Sequence, residues 1–314
     1  MARSPLISVV IPTYNRPSLL IETLKTVFAQ TFADYEIIVV DDGSTDDTVE
    51  RLRPYSGRIR LISQENQGIG AARNRGIDES RGKYVALLDH DDLWMPGKLQ
   101  AQVEFYLEHP WCSMVAVPFE WSNRPGDIVL DPRKVRSDGG TIERVMLRAA
   151  EGTVVLLSSV LMFDRDRARG LRYATRRNCI EDIPFQVPLY GRGPVGLAGD
   201  EALAVYRFHE GNYSGQAVFY SEGIRLLREL DRDGEFAEIT GDVREDMQAF
   251  FAHIGRAAVV RQLRAGNRRA ALSTYLAEFP YQARLSRWRF LLSAPFLGLM
   301  PRALVGRIET NRRD

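Results

Sequence analysis

Cysteine is nearly absent from this chain of 314 residues: Cys112 and Cys179 are the two present. Two thiols cannot staple a disulfide framework and read as reduced core residues of a cytosolic protein. Lysine is also scarce, at Lys25, Lys83, Lys98 and Lys134, so the other 38 basic residues are arginine. Net charge is almost missing: 42 basic against 41 acidic residues leave a formal +1. No global field draws the chain to nucleic acid, and any anionic partner must be met by a local patch. No uncharged run approaches the ~20 residues that span a bilayer. The N-terminal apolar run Leu6–Ile11 is too short for a leader and passes straight into a polar Pro-Thr-Tyr-Asn turn. Internal repeats and low-complexity linkers are missing too. Apolar residues at 45% and charged residues at 26% exclude collagen, a long coiled coil and wholesale disorder.

What is present is an alternation over the first 120 residues. Leu6–Ile11, Glu36–Val40, Ile59–Ser63 and Tyr84–Leu88 are short, β-branched or apolar runs that read as buried strands. Between them Ser18–Gln30, Asp46–Leu52 and Gly68–Ser80 carry helical spacing, and Pro96–Leu107 follows with a proline near its first turn. Such alternation predicts a parallel sheet covered on both faces, with a ligand site beyond the C-terminal strand ends. The polar segments fall there: Pro12-Thr13-Tyr14-Asn15-Arg16, Asp41-Asp42-Gly43-Ser44, Gln64-Glu65-Asn66-Gln67-Gly68 and Asp89-His90-Asp91-Asp92.

From 113 to 210 the pattern is less regular, with candidate strands at Ser113–Pro118, Ile128–Leu130, Ser158–Phe163 and Ala202–Tyr206 and a helix around Glu181–Tyr190. After Ala217 it is helical: Ala217–Leu230, Val243–Arg264 and Arg268–Phe279. The change near 211–216 divides an α/β part, 1–215, from a helical appendage, 216–314. Within the first part, 1–120 forms a nucleotide half and 121–215 an acceptor half.

Asp89-His90-Asp91 points two carboxylates into one loop, where they repel unless a cation or proton lies between them. Hard oxygen donors suit Mg²⁺ or Mn²⁺ completed by phosphates. A solvated acidic turn that caps the next helix has the same sequence. Asp42 follows a strand in an Asp-Gly turn. It suits either that turn or an acceptor for a base imide or ribose hydroxyls. Gly68-Ile69-Gly70-Ala71-Ala72-Arg73 lacks the third glycine of a dinucleotide fingerprint. An arginine one turn into a helix still suits a diphosphate.

In combination, ISVVIPTYNR, YEIIVVDDGSTDDT, ENQGIGAARNRGI and GKYVALLDHDDLWMPGKL resemble the inverting family 2 glycosyltransferases of the GT-A fold, over roughly residues 6–120. The resemblance implies a metal-dependent transferase that takes a sugar from a nucleotide-sugar donor, most often UDP-linked. Its acceptor would be a glycan or lipid-linked hydroxyl in cell-surface glycan or polysaccharide synthesis. It implies that Pro12, Thr13, Tyr14 and Asn15 line the nucleotide pocket, that Asp42 reads the base and that Arg73 approaches the diphosphate. Asp89 and Asp91 together become the metal and ribose contacts; both count as ligands of Mn²⁺ or Mg²⁺, with Asp91 the preferred one. His90 departs from the small residue usual there and is expected to point away from the metal. The Glu181-Asp182 pair matches the family's general base, which makes Asp182 the catalytic carboxylate. A helix N-terminal acidic pair favoured by the dipole has the same form. Arg207-Phe208-His209, followed by Asn212 and Ser214, matches the closing segment, with His209 completing the metal shell or binding phosphate. A nucleotidyltransferase or a nucleotide-binding scaffold on a similar sheet is the alternative class.

Gln282 through Trp288 superficially matches the Gln-x-x-Arg-Trp of processive synthases, but the spacing differs and no membrane spans flank it. A single-addition enzyme is expected. From Tyr281 onward seven arginines (284, 287, 289, 302, 307, 312 and 313) face two acids, Glu309 and Asp314. They flank the apolar run Phe290–Met300. That tail suits either a membrane interface or packing on its own domain or on a second subunit in a homodimer. The expected location is cytoplasmic, with peripheral contact at the inner face of the plasma membrane under the first alternative.

Overall fold

β-branched runs fix the frame. Val9, Val10, Ile11, Ile38, Val39, Val40 and Val85 are fully buried, and burial of each such side chain contributes roughly 1.5–3 kcal/mol. The structure, a computed structural model, describes residues 4–292 apart from 138, 152–153, 156, 177–178, 210–216 and 289. The boundary expected at 211–216 and the tail beyond Leu292 lie outside the described residues. The chain divides into two compact units, 1–145 with 152–210 and 146–151 with 211–314.

In the first unit β1 (Ile7–Thr13), α1 (Pro17–Phe28), β2 (Tyr35–Asp41), α2 (Thr48–Leu52), β3 (Arg60–Ser63), α3 (Ile69–Glu79) and β4 (Tyr84–Leu87) follow the expected alternation. Then come β5 (Leu93–Trp94), α4 (Lys98–Glu108), β6 (Met114–Ala116), β7 (Phe119–Trp121), β8 (Arg124–Val129), α5 (Pro132–Val135) and β9 (Thr141–Ile142), followed by α6 (Val145–Ala150), whose residues from 146 on belong to the second unit. β10 (Met162–Asp164), α7 (Ile183–Gly191), β11 (Val195–Leu197) and β12 (Ala204–Tyr206) complete the first unit. The main sheet runs β3-β2-β1-β4-β10-β6-β11-β9, and a smaller sheet runs β5-β12-β7-β8.

The pairings β3–β2–β1–β4 are parallel, with Ile7 opposite both Tyr35 and Tyr84. β10 then enters antiparallel to both β4 and β6, with Met162 opposite Ala86 and Val115. The fold is therefore the expected α/β one, with parallel strands in the nucleotide half and a mixed order beyond. Helices flank the sheet closely. An added Cβ on Gly76 of α3 would lie 2.2 Å from a Val10 methyl of β1.

The second unit contains α8 (Ala217–Arg232), α9 (Gly241–Arg264) and α10 (Arg268–Arg284). α9 packs against both neighbours, and its Val259 and Leu263 cluster with Ala271 and Tyr275 of α10 and with Leu291. Arg228 of α8 forms a bidentate pair with Glu278 of α10 (Nε–Oε1 3.1 Å, Nη2–Oε2 3.0 Å) and lies 3.7 Å over the Tyr281 ring. α10 runs past the expected stop at Phe279, with Pro280 inside it. Tertiary anchoring overrides the proline: Gln282 is fully buried and donates to the Ala252 carbonyl at 2.7 Å. No described helix is long and apolar enough to cross a membrane.

Candidate active site

Four loops at the C-terminal ends of β1 to β4 are stitched into one rim. Asn15, in the left-handed region at φ 51, joins the first two: its backbone N–H donates to Ser44 Oγ (2.9 Å) and its Oδ1 accepts from the Thr45 N–H (2.8 Å). Asp42 joins the second to the third. Its Oδ1 accepts from Gln64 Nε2 (2.7 Å) and the Gln67 N–H (3.0 Å), and its Oδ2 accepts from the Gly68 N–H (2.8 Å). A carboxylate has about four acceptor sites, so one stays open beside the loop. His90 joins the fourth loop to the first through Nδ1 and the Pro12 carbonyl at 3.2 Å. Thr13 is buried, and its Oγ1 has no partner there. Tyr14 is exposed.

The acidic loop after β4 is held from several sides. Asp92 is buried, and its carboxyl is pushed well above the usual range by burial and then by Asp91 and Asp89. It accepts from Ser159 Oγ at 2.6 Å and from the Arg207 N–H at 3.1 Å. Ser159 Oγ also accepts from the Asp89 N–H at 3.0 Å. Thr23 Oγ1 contacts the carbonyls of His90 and Asp92 at 2.9 and 2.8 Å. The Arg207 guanidinium reaches the Asp91 carbonyl, Glu22 and the Leu19 carbonyl. Below the loop, Trp94 donates to the Ser159 carbonyl at 2.8 Å. Lys98 lies fully buried 3.8 Å over the Trp94 ring, with Nζ donating to Gln102 at 2.8 Å. Burial pushes its ammonium pKa well below the ordinary lysine value.

The two loop carboxylates turn to different partners. Asp91 Oδ2 lies 2.8 Å from His209 Nε2. Asp89 Oδ1 accepts from Arg73 Nη2 at 2.6 Å. The other end of that buried guanidinium, Nη1, donates to Glu181 Oε1 at 2.5 Å. The two carboxylates offset the desolvation of Arg73 and keep it charged.

Glu181 and Asp182 reach this place by local pairing. Asn74 and Tyr173 exchange two hydrogen bonds of 2.9 Å, and the Ala174 N–H donates to the Glu181 carbonyl at 2.9 Å. Gly70 permits that approach, since a Cβ there would sit 2.0 Å from the Ala174 carbonyl oxygen. Asp182 precedes α7 and makes no cap hydrogen bond. Its carboxylate accepts from Gln186 at 3.3 Å, and Gln186 in turn accepts from the Tyr190 hydroxyl at 3.1 Å. Burial, and then the Glu181 charge, push the Asp182 carboxyl up to about 7.

The structure thus gathers Pro12, Asn15, Asp42, Asp89 and Asp91 on one rim, ties Arg73 to it through Asp89, and ties Glu181, with its neighbour Asp182, to it through Arg73. The sequence marks Glu181 only as the neighbour of Asp182, through the Glu-Asp doublet, and marks neither Ser159 nor Lys98. Among the described residues no group of three or more His, Cys, Asp or Glu side chains could hold a metal ion. Asp91 and His209 offer two converging donors, while Asp89 is occupied by Arg73. Asn212 and Ser214 lie outside the described residues.

A parallel half-sheet whose strand ends meet at an acidic loop, with an antiparallel strand set beside it, is an architecture of the GT-A type. The chain belongs to glycosyl transferase family 2, whose profile matches residues 8–164. TuaG of Bacillus subtilis strain 168, whose name assigns it as a glycosyltransferase to teichuronic acid biosynthesis, is 30% identical over 211 residues, 65% of this chain and 79% of TuaG. An uncharacterized glycosyltransferase of Rickettsia conorii is 45% identical over 105 residues, 33% of this chain, and the match spans 17% of that relative's length. In structure the chain is similar to Staphylococcus aureus TarS residues 1–349 in complex with UDP-GlcNAc (TM-score 0.59, 19% identity, 86% of this chain and 89% of the other). It is also similar to the mannosyltransferase PcManGT of Pyrobaculum calidifontis in complex with GDP-Man and Mn²⁺ (TM-score 0.55, 18% identity, 95% and 86%).

Proposed function

We infer that the chain is an inverting transferase that moves a sugar from a UDP-linked donor to an acceptor hydroxyl in cell-surface glycan or polysaccharide synthesis. The observation that carries this reading is Asp182, a carboxyl pushed up to about 7 beside the Glu181–Arg73–Asp89 chain of ion pairs. A general base works best with a pKa near the operating pH. As the acceptor oxygen bonds to the anomeric carbon, its proton passes to Asp182. The bond from that carbon to the diphosphate breaks, and its electron pair leaves with the nucleoside diphosphate. Attack opposite the leaving group inverts the anomeric configuration.

On the donor side, the open acceptor site of Asp42 suits a base imide, and Pro12, Thr13, Tyr14 and Asn15 border the same rim. Asp89 is proposed to meet the ribose, with Arg73 close to the diphosphate. An oxygen donor from Asp91 and a nitrogen donor from His209 converge within 2.8 Å, a set that fits Mn²⁺ or Mg²⁺ completed by phosphate oxygens. Such an ion, held by Asp91 and His209, would neutralise charge on the leaving diphosphate. TarS with UDP-GlcNAc, PcManGT with GDP-Man and Mn²⁺ and the name of TuaG support a nucleotide-sugar donor, a divalent ion and a surface-polymer acceptor.

The test is a panel of UDP- and GDP-sugars with and without Mn²⁺, read by release of nucleoside diphosphate and by NMR of the product anomer. An α-linked donor should give a β-linked product. A retained anomer overturns the inverting mechanism, and no release from any donor overturns the reading as a whole.

A further inference from the structure

Of the ten large hydrophobic side chains that stand exposed among the described residues, five lie within 21 residues: Leu272, Leu276, Phe279, Trp288 and Leu292, at 58, 60, 42, 55 and 68% exposure. The first three form a stripe on α10. The inner stripe of that helix is Ala271, Tyr275, Glu278 and Gln282, all buried. Each outer residue follows an inner one directly, which turns the outer stripe by about 100°. Ser273, Ala277 and Pro280 widen the exposed arc without adding charge.

The charge around this arc has one sign. Arg269 stands exposed at the start of α10 and Arg284 at its end. From Met247 to Leu292 the chain has eight arginines and a single acid. That acid, Glu278, is buried against Arg228. Of the other acids of this unit, Glu309 and Asp314 lie in the tail and the rest precede Met247, mostly on α8, on the loop after it and at the start of α9.

We propose that the outer face of α10 is a docking surface for an anionic lipid bilayer. An apolar stripe about 10 Å long, from Leu272 to Phe279 at 1.5 Å per residue, lies flat in an interface. Arginines at both ends reach lipid phosphates while their stems stay with the apolar phase. Trp288 adds a side chain suited to the headgroup depth. A second copy of this face is a poor occupant, because arginines at both ends meet arginines in a parallel or an antiparallel pairing. The surface is independent of the transfer chemistry, and its stripe Leu272–Phe279 lies upstream of the run Phe290–Met300 that the sequence pattern marks for that role.

The experiment is co-sedimentation of the full chain with vesicles of phosphatidylglycerol and phosphatidylcholine, against pure phosphatidylcholine. The chain should pellet with the anionic vesicles alone and be released by salt. R269Q/R284Q should weaken partition about 30-fold, from the loss of two interfacial arginines. L272S/L276S/F279S should weaken it by more than about 100-fold, with far-UV circular dichroism and Tm as fold controls. The arginine pair, which leaves the apolar face untouched, keeps the test decisive if the triple variant misfolds. Three results overturn the proposal: wild type stays in the supernatant with both vesicles; the folded variants pellet as wild type does, which moves the contact to 293–314; or sedimentation velocity shows a dimer that L276S dissociates, which gives the face to a second copy.

Discussion

Arg73 and Glu181 form a buried ion pair of 2.5 Å that joins the helix after the third parallel strand to the start of α7. The same guanidinium holds Asp89 at 2.6 Å. The acidic loop and the proposed base are therefore positioned through one cation.

Replacing that cation should be costly in two ways. Arg73→Lys cannot span both carboxylates, and the buried partner left unpaired should destabilise the fold by about 3–5 kcal/mol. The Arg73 charge also lowers the Asp182 pKa. Its removal in Arg73→Gln should move the acid limb of the kcat/KM profile to higher pH. Thermal unfolding and a pH–rate profile read the two effects separately. An unmoved limb detaches Arg73 from the base.

Asp182 itself should act only when deprotonated. Wild-type kcat/KM is expected to rise with pH through about 7, and Asp182→Asn should lose that limb and about 10²-fold or more in turnover. Donor affinity, measured by calorimetry with the nucleotide sugar, should stay close to wild type. The stability sign runs the other way. A carboxyl raised in the fold costs stability as pH rises from about 4 through its folded value, so the Asn variant should match or exceed wild-type Tm at pH 8. A low Tm there, or lost donor binding, makes Asp182 structural.

The Asp91–His209 contact predicts a graded loss. Asp91→Ala should abolish transfer and erase the Mn²⁺-dependent part of UDP affinity, whereas His209→Ala should weaken that part and leave a residue of activity. Transfer at wild-type rate after EDTA treatment removes the metal from the scheme.

Lys98, beneath the acidic loop, predicts a stability effect. Its ammonium is depressed by burial, so the folded state loses stability as pH falls from about 10.4 towards the lowered folded value. Lys98→Met keeps the length and removes the penalty. It should be more stable by roughly 1–3 kcal/mol at pH 7, with a smaller gain at pH 9.5. A constant difference across that range shows that titration is not the cause.

Much of the nucleotide half could be read directly, because runs such as Val9-Val10-Ile11 and Ile37-Ile38-Val39-Val40 have one stable use, as strands buried on both faces. The polar tips followed from topology. The second half resisted because most of its strands are short: β9 has two residues and β10, β11 and β12 three each, too few for any period to register. Arg73 was legible as a site residue but not as the partner of Glu181, since an ion pair 108 positions apart leaves no local pattern. Pro280 misled in the usual direction, because propensity ends a helix where packing carries it on.

The place of β10 bears on how this enzyme could be rebuilt from relatives. β10 supplies the antiparallel neighbour of β4, and Ser159 just before it holds the acidic loop. A chimera spliced at residue 120 would divide that loop from its own support and leave one edge of the donor sheet bare. The natural cut for exchanging donor preference lies after Asp164, the last residue of β10 and also the last residue of the family match.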